Sequence, residues 1–324
     1  MEAELVRRAG VKFEAIPAAG LHGVGWRRMP GNAATLARGM LASRRILSRY
    51  RPDAMFLTGG YLAAPMAVAG RHVPTLVFVP DTEPGLALRF LGRFADRIVV
   101  TVDETRMYFD RPERVRVSGY PLRADLRSWT RLQALAHLGL SPKLPTLLVS
   151  GGSLGAHSIN KGILEQLPLL LDVAQVIHLT GPKDMEHAQF ARRRLPTGSS
   201  GRYHPLPYLH EMGAALAAAD LVVSRAGAST LGEYPAFGLP AVLVPYPHAW
   251  SYQKQNAGYL VERGCAVLVM DSEIGARLVD LVRELFADRG RMHNMRQAML
   301  ALARPNAADE IARQLVELAG DERH

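Results

Sequence analysis

The chain has 324 residues, 48% of them hydrophobic, which is enough for two globular domains. Its net charge of +9 favours an anionic partner, namely nucleic acid, anionic lipid or a phosphorylated substrate. The single cysteine, Cys265, excludes an intramolecular disulfide framework and a cysteine-rich metal site, and it begins an apolar run typical of a core residue. No apolar run approaches the roughly 18–20 residues that cross a bilayer.

Apolar runs alternate with amphipathic or alanine-rich segments through the first half of the chain. This alternation predicts a parallel sheet with helices on both faces. The predicted helices are Ala33–Tyr50, an alanine-rich helix ending at Gly70, and Leu86–Phe94. The predicted strands are Val11–Ile16, Ala54–Leu57, Thr75–Val79, Arg97–Val102 and Arg114–Ser118.

The second half repeats the scheme. Leu144–Val149 is almost fully apolar, as expected of a central parallel strand. From Glu273 onward the pattern is helical, with a break at Arg304-Pro305. The further predicted strands are Gln175–Leu179, Arg202–Tyr203, Leu221–Val223, Ala241–Val244 and Ala266–Met270.

A basic region lies between Arg27 and Arg51, with seven arginines and no acidic residue. Apolar residues at close to helical spacing accompany them, which is typical of an amphipathic helix on an anionic membrane surface. A solvated helix whose apolar stripe faces the core explains the same residues. The apolar set is Leu36, Met40, Leu41, Ile46 and Leu47. We find no RNA- or DNA-binding motif, so the charge does not indicate nucleic acid.

A glycine-rich turn follows the strand that ends at Ser150. It contains Gly151, Gly152, Ser153 and Gly155 and leads into a helix through Asn160. A strand, a glycine-rich turn and a helix N-terminus together can cradle a phosphate, because the glycines admit close approach and the free N–H groups point outward. A tight strand-to-helix connection without a ligand remains the alternative.

The stretch from Ser224 to Leu260 contains more polar groups than a core needs. A turn of small residues precedes Ser229 or Thr230, either of which is a candidate cap for a helix that carries Glu233 in its first turn. A carboxylate can accept two hydrogen bonds at once, which suits the vicinal diol of a ribose. The alternative is that Glu233 only complements the helix dipole. The amides of Gln253 and Asn256 suit sugar hydroxyls.

Several motifs together give the chain a family resemblance. It resembles the GT-B glycosyltransferases of the bacterial peptidoglycan type, family 28, through nearly its whole length. Ser224–Ala257 matches that family's donor-site signature. The other matching segments are Met1–Val6, Thr58-Gly59-Gly60-Tyr61, Gly119–Arg123, Gly151–Ala156 with Asn160, and Tyr208–Met212.

The resemblance implies an α/β fold of two Rossmann-like parallel-sheet domains that face each other across a cleft. It implies an acceptor and membrane-facing domain over residues 1–127 and a UDP-sugar donor domain over residues 128–305. Helix 306–320 would pack back on the first domain. The first domain would lack its first βαβ elements. Closure of the cleft would couple donor binding to acceptor placement.

The resemblance also implies a reaction, which is inverting transfer of GlcNAc from UDP-GlcNAc to an undecaprenyl-linked muramoyl-pentapeptide, lipid I to lipid II. No metal or other cofactor is implied. The protein would be peripheral on the cytoplasmic face of the cell membrane, with an anionic membrane surface as a partner. Alternatives are a UDP-sugar transferase with a different lipid or polysaccharide acceptor, and a catalytically incomplete UDP-sugar-binding protein.

The resemblance assigns roles to individual residues. Glu233 would bind the ribose, and Leu209 would present its backbone to uracil with Arg123 nearby. The diphosphate would lie on the glycine-loop amides of Gly151, Gly152 and Gly155 and on Ser153. The remaining donor contacts would come from Ala228, Ser229, Thr230, Gln253 and Asn256.

Two departures from the family pattern affect the acceptor side. Family members have a glycine-rich loop ending in His before the segment matched by Met1, so that candidate general base is not found and no catalytic base is assigned. We expect upstream coding sequence for such a loop. The family's His-Glu-Gln-Asn tetrad is replaced around Asp81 and Glu83. The acceptor-side candidates are Gly59, Gly60, Tyr61, Asp81 and Glu83.

Overall fold

The computed structural model describes residues 6–7, 10–17, 29–60, 63–247 and 251–320. The strands form two separate, fully parallel sheets, one in each half of the chain. Among the acceptor-side candidates, Tyr61 lies outside the described residues.

The first sheet has four strands in the order β1-β2-β3-β4. Its strands are β1 (Met55–Leu57), β2 (Thr75–Val79), β3 (Arg97–Val100) and β4 (Val115–Val117). Its helices are α1 (Met29–Tyr50), α2 (Ala63–Ala69) and α3 (Leu86–Gly92). Residues 76–79 of β2 are buried, as are residues 98–100 of β3, which explains why both strands read as continuous apolar runs.

The predicted strand Val11–Ile16 is wrong. Residues 11–17 belong to no helix or strand, and most of them are exposed, including Val11 and Phe13. In the described part of the chain the first sheet begins at β1, so this segment has no neighbouring strand to supply hydrogen bonds or burial.

The second sheet has six strands in the order β10-β9-β8-β5-β6-β7. Its strands are β5 (Thr146–Ser150), β6 (Gln175–Leu179), β7 (Tyr203–Leu206), β8 (Leu221–Ser224), β9 (Ala241–Leu243) and β10 (Ala266–Leu268). Its helices are α4 (Arg131–His137), α5 (His157–Glu165), α6 (Leu167–Leu171), α7 (Met185–Arg193), α8 (Thr197–Ser200), α9 (Met212–Ala218), α10 (Thr230–Phe237), α11 (Tyr252–Glu262), α12 (Val279–Ala287) and α13 (Arg289–Ala301).

Apolar side chains cover both faces of the second sheet. One cluster packs Leu148 and Val222 with α9, and the other packs Leu147 and Val223 with α5 and α12. Neighbouring residues of a strand point to opposite faces, so each strand contributes to both clusters. Cys265 is buried in the first cluster, as its apolar context predicts, and burial raises the pKa of its thiol to about 11.

The last helix, α14 (Ala307–Gly320), packs on the first sheet although it follows the second in sequence. Ile311 and Leu318 contact β2 and β3 through Leu76, Phe78 and Val99. Arg97 of β3 donates to the Gln314 side chain at 2.7 Å and to Glu317 at 3.0 Å. Residues 118–145 connect the two sheets and contain the predicted domain boundary at residue 127, which stays a prediction.

Candidate active site

A cleft of about 1040 Å³ opens at the carboxyl ends of the second sheet. From β5 the chain continues to β6 and β7 on one side, and β8 to β10 then lie on the other side. The switch between β5 and β8 is the position where open α/β sheets bind ligands. The glycine turn after β5 and the turn after β8 both line the cleft.

The cleft brings together ten of the donor-side residues predicted from sequence. They are Arg123, Gly151, Gly152, Ser153, Gly155, Leu209, Ser229, Thr230, Glu233 and Gln253. Ala228 is not among the lining residues, although Gly227 and Ser229 on either side of it are.

The glycine turn needs glycine for its geometry. Gly152 and Gly155 have φ of +82° and +78°, a region that side chains with Cβ rarely occupy. A Cβ on Gly155 would lie 2.1 Å from the Thr180 carbonyl oxygen, whereas one on Gly152 would meet nothing within 4 Å. The turn thus packs tightly on the end of β6 at Gly155 and leaves its other side open, directly before the N-terminus of α5.

Glu233 lies in the first turn of α10 and faces the cleft. Burial raises the pKa of its carboxyl to about 7, against the opposing effects of the Arg123 charge and the Ser229 hydroxyl. Ser229 occupies the N-cap position of this helix, as the sequence predicts, but no side chain caps it. Ser229 makes no side-chain cap bond, and the Thr230 hydroxyl donates instead to the Gly227 carbonyl at 2.7 Å.

Gln253 is at the edge of the cleft, in the first turn of α11. Its side-chain oxygen accepts a hydrogen bond of 2.9 Å from the backbone N–H of Tyr246, which follows β9. This bond connects the start of α11 to the loop that follows β9.

Asn256 does not line the cleft, although the sequence grouped it with Gln253. The side chain is completely buried and is fully engaged in hydrogen bonds. Its partners are Asp81 and Thr82 of the first domain and the Ala226 carbonyl. Asn256 follows Gln253 by three positions in α11, and its side chain contacts the opposite domain.

The sequence interpretation missed Arg225, which lies directly after β8. The guanidinium donates to Asp271 at 2.5 Å, to Ser158 of α5 at 2.7 Å, and to carbonyls that follow β9. Asp271 also accepts from Ser158 at 2.8 Å. A lone arginine at the end of an apolar strand was the available signal. These bonds hold the floor of the cleft together.

A second polar network supports the other wall. Buried His178 contacts the Asn160 amide oxygen at 3.0 Å, and the Asn160 amide nitrogen donates to Asp184 at 2.8 Å. Asp184 in turn contacts His157, the first residue of α5, at 2.9 Å. Burial lowers the pKa of His178 to about 3, so its imidazole is neutral at pH 7. The network ties the start of α5 to β6.

The described acceptor-side candidates lie at the carboxyl ends of neighbouring strands of the first sheet. Gly59 and Gly60 follow β1 with φ of +102° and +82°. Asp81 and Glu83 follow β2 and contact the second domain through Asn256 and Ser251, respectively. Glu83 also pairs with Arg89 at 3.0 Å.

Among the residues that the structure describes, no helix is both long and apolar enough to cross a bilayer. Their His, Cys, Asp and Glu side chains form no cluster of three or more suited to a metal ion.

Two parallel-sheet domains, with a cleft at the strand ends of the second, define a GT-B glycosyltransferase architecture. The crystal structure of Acinetobacter baumannii MurG superposes with a TM-score of 0.74 and 24% identity, covering 98% of this chain and 88% of that one. UDP-GlcNAc 2-epimerase from Neisseria meningitidis bound to UDP-GlcNAc has a TM-score of 0.65 at 11% identity, over 98% of this chain and 88% of that one. The fold is thus shared with enzymes of another reaction.

Sequence comparison identifies the family. The N-terminal domain of glycosyltransferase family 28 matches residues 1–100, and its C-terminal domain matches residues 146–311. A relative from Roseiflexus sp. (strain RS-1) is 42% identical over 96% of this chain and 80% of its own length. A relative from Desulforudis audaxviator is 39% identical over 99% of this chain and 88% of its own length. Both are named UDP-N-acetylglucosamine–N-acetylmuramyl-(pentapeptide) pyrophosphoryl-undecaprenol N-acetylglucosamine transferase. The chain belongs to glycosyltransferase family 28.

Proposed function

We propose that this protein transfers GlcNAc from UDP-GlcNAc to N-acetylmuramyl-(pentapeptide) pyrophosphoryl-undecaprenol. The observation that supports this most is the pairing, in one cleft, of a half-buried Glu233 carboxylate with a glycine turn at the start of α5. A carboxylate can bind the ribose diol, and the amides of a glycine turn at a helix N-terminus can bind the diphosphate. Together, at the switch point of the sheet, they suit a nucleoside diphosphate sugar. The relatives named above carry out this transfer according to their names.

The donor lies across the cleft with each part on a different loop. Glu233 accepts from the ribose hydroxyls, and Leu209 presents its backbone to the uracil with Arg123 at the rim. The diphosphate rests on Ser153 and the amides of the glycine turn. Gln253 reads the GlcNAc hydroxyls, and the backbone of residues 228–230 approaches the diphosphate and the sugar.

Transfer with inversion needs no covalent enzyme intermediate. The acceptor hydroxyl attacks the anomeric carbon as the bond to UDP breaks, and the acceptor proton leaves to a base. Negative charge then grows on the diphosphate, where loop amides and the N-terminus of α5 stabilise it. Removal of one such donor costs about 3–4 kcal/mol of transition-state stabilisation in enzymes where it has been measured.

We also propose that the first domain docks on an anionic membrane surface to reach the lipid-linked acceptor. Arg44, Arg45 and Arg49 of α1 are exposed, and so is Leu41. The rest of the predicted apolar stripe is partly or fully buried, with Leu47 in a core cluster. Docking therefore relies on charge more than on apolar insertion. Vesicles containing phosphatidylglycerol should bind the wild type. They should not bind a triple variant in which Arg44, Arg45 and Arg49 are all replaced by Ala. Unchanged binding would contradict docking through α1.

A transfer assay tests the function. The protein receives UDP-[¹⁴C]GlcNAc with one of three acceptors: the muramyl-pentapeptide lipid, an undecaprenyl phosphate lipid without the muramyl group, or none. We expect label in the lipid only with the first acceptor. Transfer only to the second would favour a different acceptor, and UDP binding without any transfer would favour a binding protein.

A further inference from the structure

Asn256 joins the donor half of the molecule to the acceptor half. The amide nitrogen donates to the Asp81 carboxylate at 2.7 Å and to the Ala226 carbonyl at 3.1 Å. The amide oxygen accepts from the N–H of Thr82 at 3.0 Å and from its hydroxyl at 2.9 Å. Both donor hydrogens and both lone pairs are thereby used. The side chain is completely buried, so it has no capacity left for a sugar.

The surrounding contacts reinforce the same connection. Ser251, at the start of α11, donates to Glu83, two residues beyond Asp81. On the first-domain side, the Thr105 hydroxyl donates to the Thr82 carbonyl at 2.9 Å and anchors the loop to its own domain. The loop over residues 81–83 is therefore held between a helix of the donor domain and the body of the acceptor domain.

Helix α11 connects this loop to the donor pocket. Gln253 borders the pocket, and Asn256 follows it by three residues, less than one helical turn. The Ala226 carbonyl that Asn256 contacts begins the turn leading to Ser229 and Thr230, which also line the pocket. Asn256 thus contacts both the frame of the donor pocket and the acceptor-side loop.

Tyr120 lies close to both Asp81 and Glu233. Burial raises the pKa of its phenol, and the charges of Glu233 and then Asp81 raise it further. Its ring also packs on Gly232 of α10, where a Cβ would lie 2.6 Å from the Tyr120 Cβ. The acceptor-side loop therefore approaches the donor pocket from the opposite domain.

We propose that Asn256 is a positioning residue. It holds the acceptor-side loop over residues 81–83 at a fixed position relative to the donor pocket. The inference rests on the proposed glycosyl transfer. The donor contacts other than Arg123 all come from the second domain. Transfer, by contrast, needs the acceptor hydroxyl within reach of the anomeric carbon. Loss of Asn256 should therefore impair turnover and leave UDP affinity intact.

The test compares reciprocal substitutions in the full-length chain. Asn256→Asp places a second carboxylate at hydrogen-bond distance from Asp81, and misplacement of the loop should lower kcat by about tenfold to a hundredfold. Asp81→Asn keeps an oxygen that accepts from Asn256 and should lower kcat less than Asn256→Asp does. The double variant N256D/D81N restores one donor and one acceptor and should recover most of the lost kcat. Gln255→Ala, at an exposed amide next to Asn256, is the matched control.

Titration with UDP accompanies each kinetic measurement and reports whether the donor domain is folded. We expect dissociation constants within about twofold of wild type for all variants, a change that corresponds to under ~0.5 kcal/mol. Unchanged kcat in N256D, loss of UDP affinity in parallel with kcat, or no recovery in the double variant would each overturn the inference. A wild type that binds UDP but transfers no GlcNAc would contradict the proposed function instead.

Discussion

Arg225 and Asp271 form an ion pair of 2.5 Å beneath the donor cleft, with side chains only 12% and 24% exposed. Ser158 bonds to both of them, so the pair connects the ends of β8 and β10 to helix α5. The glycine turn directly precedes α5. The ion pair therefore fixes the two loops that flank the switch point relative to each other.

Removal of the arginine should destabilise the second domain. Arg225→Met leaves Asp271 with an uncompensated, largely buried charge, and we expect a loss of about 3 kcal/mol in the free energy of unfolding. Urea denaturation followed by circular dichroism measures it. Arg313→Ala removes an arginine that is 55% exposed in its surface pairs with Glu310 and Glu317, and should cost less than ~1 kcal/mol. Equal losses in the two variants would contradict a structural role for Arg225.

The two glycines of the turn should respond differently to alanine. Both have positive φ, so each substitution carries a backbone penalty of about 1–2 kcal/mol. Only the Gly155 Cβ collides with backbone, at 2.1 Å from the Thr180 oxygen. Gly155→Ala should therefore lower the melting temperature more than Gly152→Ala and weaken UDP binding by shifting the turn. Equal melting temperatures would show that the turn does not pack on β6 in this way.

Glu233 should make stability depend on pH. Its pKa is about 7 in the folded chain against 4.5 for an ordinary glutamate, so the folded state retains a proton that the unfolded state has lost between these values. The stability of the unliganded protein therefore falls as pH rises from about 4.5 to 7 because of this group, by up to about 3 kcal/mol.

Glu233→Gln has no carboxyl to ionise, so it removes the loss of stability that Glu233 causes above pH 4.5. We expect the variant to be more stable than wild type at pH 8 and to show no gain at pH 4.5, in urea unfolding at the two pH values. Glu186→Gln, at an exposed position on α7, should show no such difference. A gain of equal size at both pH values would mean that burial does not raise the pKa of Glu233.

The sequence was sufficient for the features set by local pattern. Apolar runs predicted most strands of the second sheet to within a few residues, because a parallel strand buried on both faces is largely apolar. The glycine turn and Glu233 were recognisable as candidates, although a tight strand-to-helix connection and a helix-dipole complement explained the same residues equally well. The roles of the ten donor-side residues that line the cleft were implied by the family resemblance, and local pattern alone did not assign them.

Pairings between distant residues were not recognisable. Gln253 and Asn256 looked equivalent as amides three residues apart, yet one borders the cleft and the other contacts Asp81 across the domain boundary. Asp271 and Ser158 lie 113 residues apart, and no periodicity relates them. The strand predicted at Val11–Ile16 failed for a similar reason, because a strand depends on a neighbour that its own sequence does not specify.

Calorimetric titration of wild type and Glu233→Ala with uridine, UDP and UDP-GlcNAc tests the central claim most directly. We expect wild type to bind all three and UDP and UDP-GlcNAc to bind more tightly than uridine, because only they reach the glycine turn. Glu233→Ala should weaken all three to a similar degree, by about 1–3 kcal/mol, because all three contain the ribose. Unchanged affinity in the variant would contradict a UDP-sugar pocket with Glu233 on the ribose.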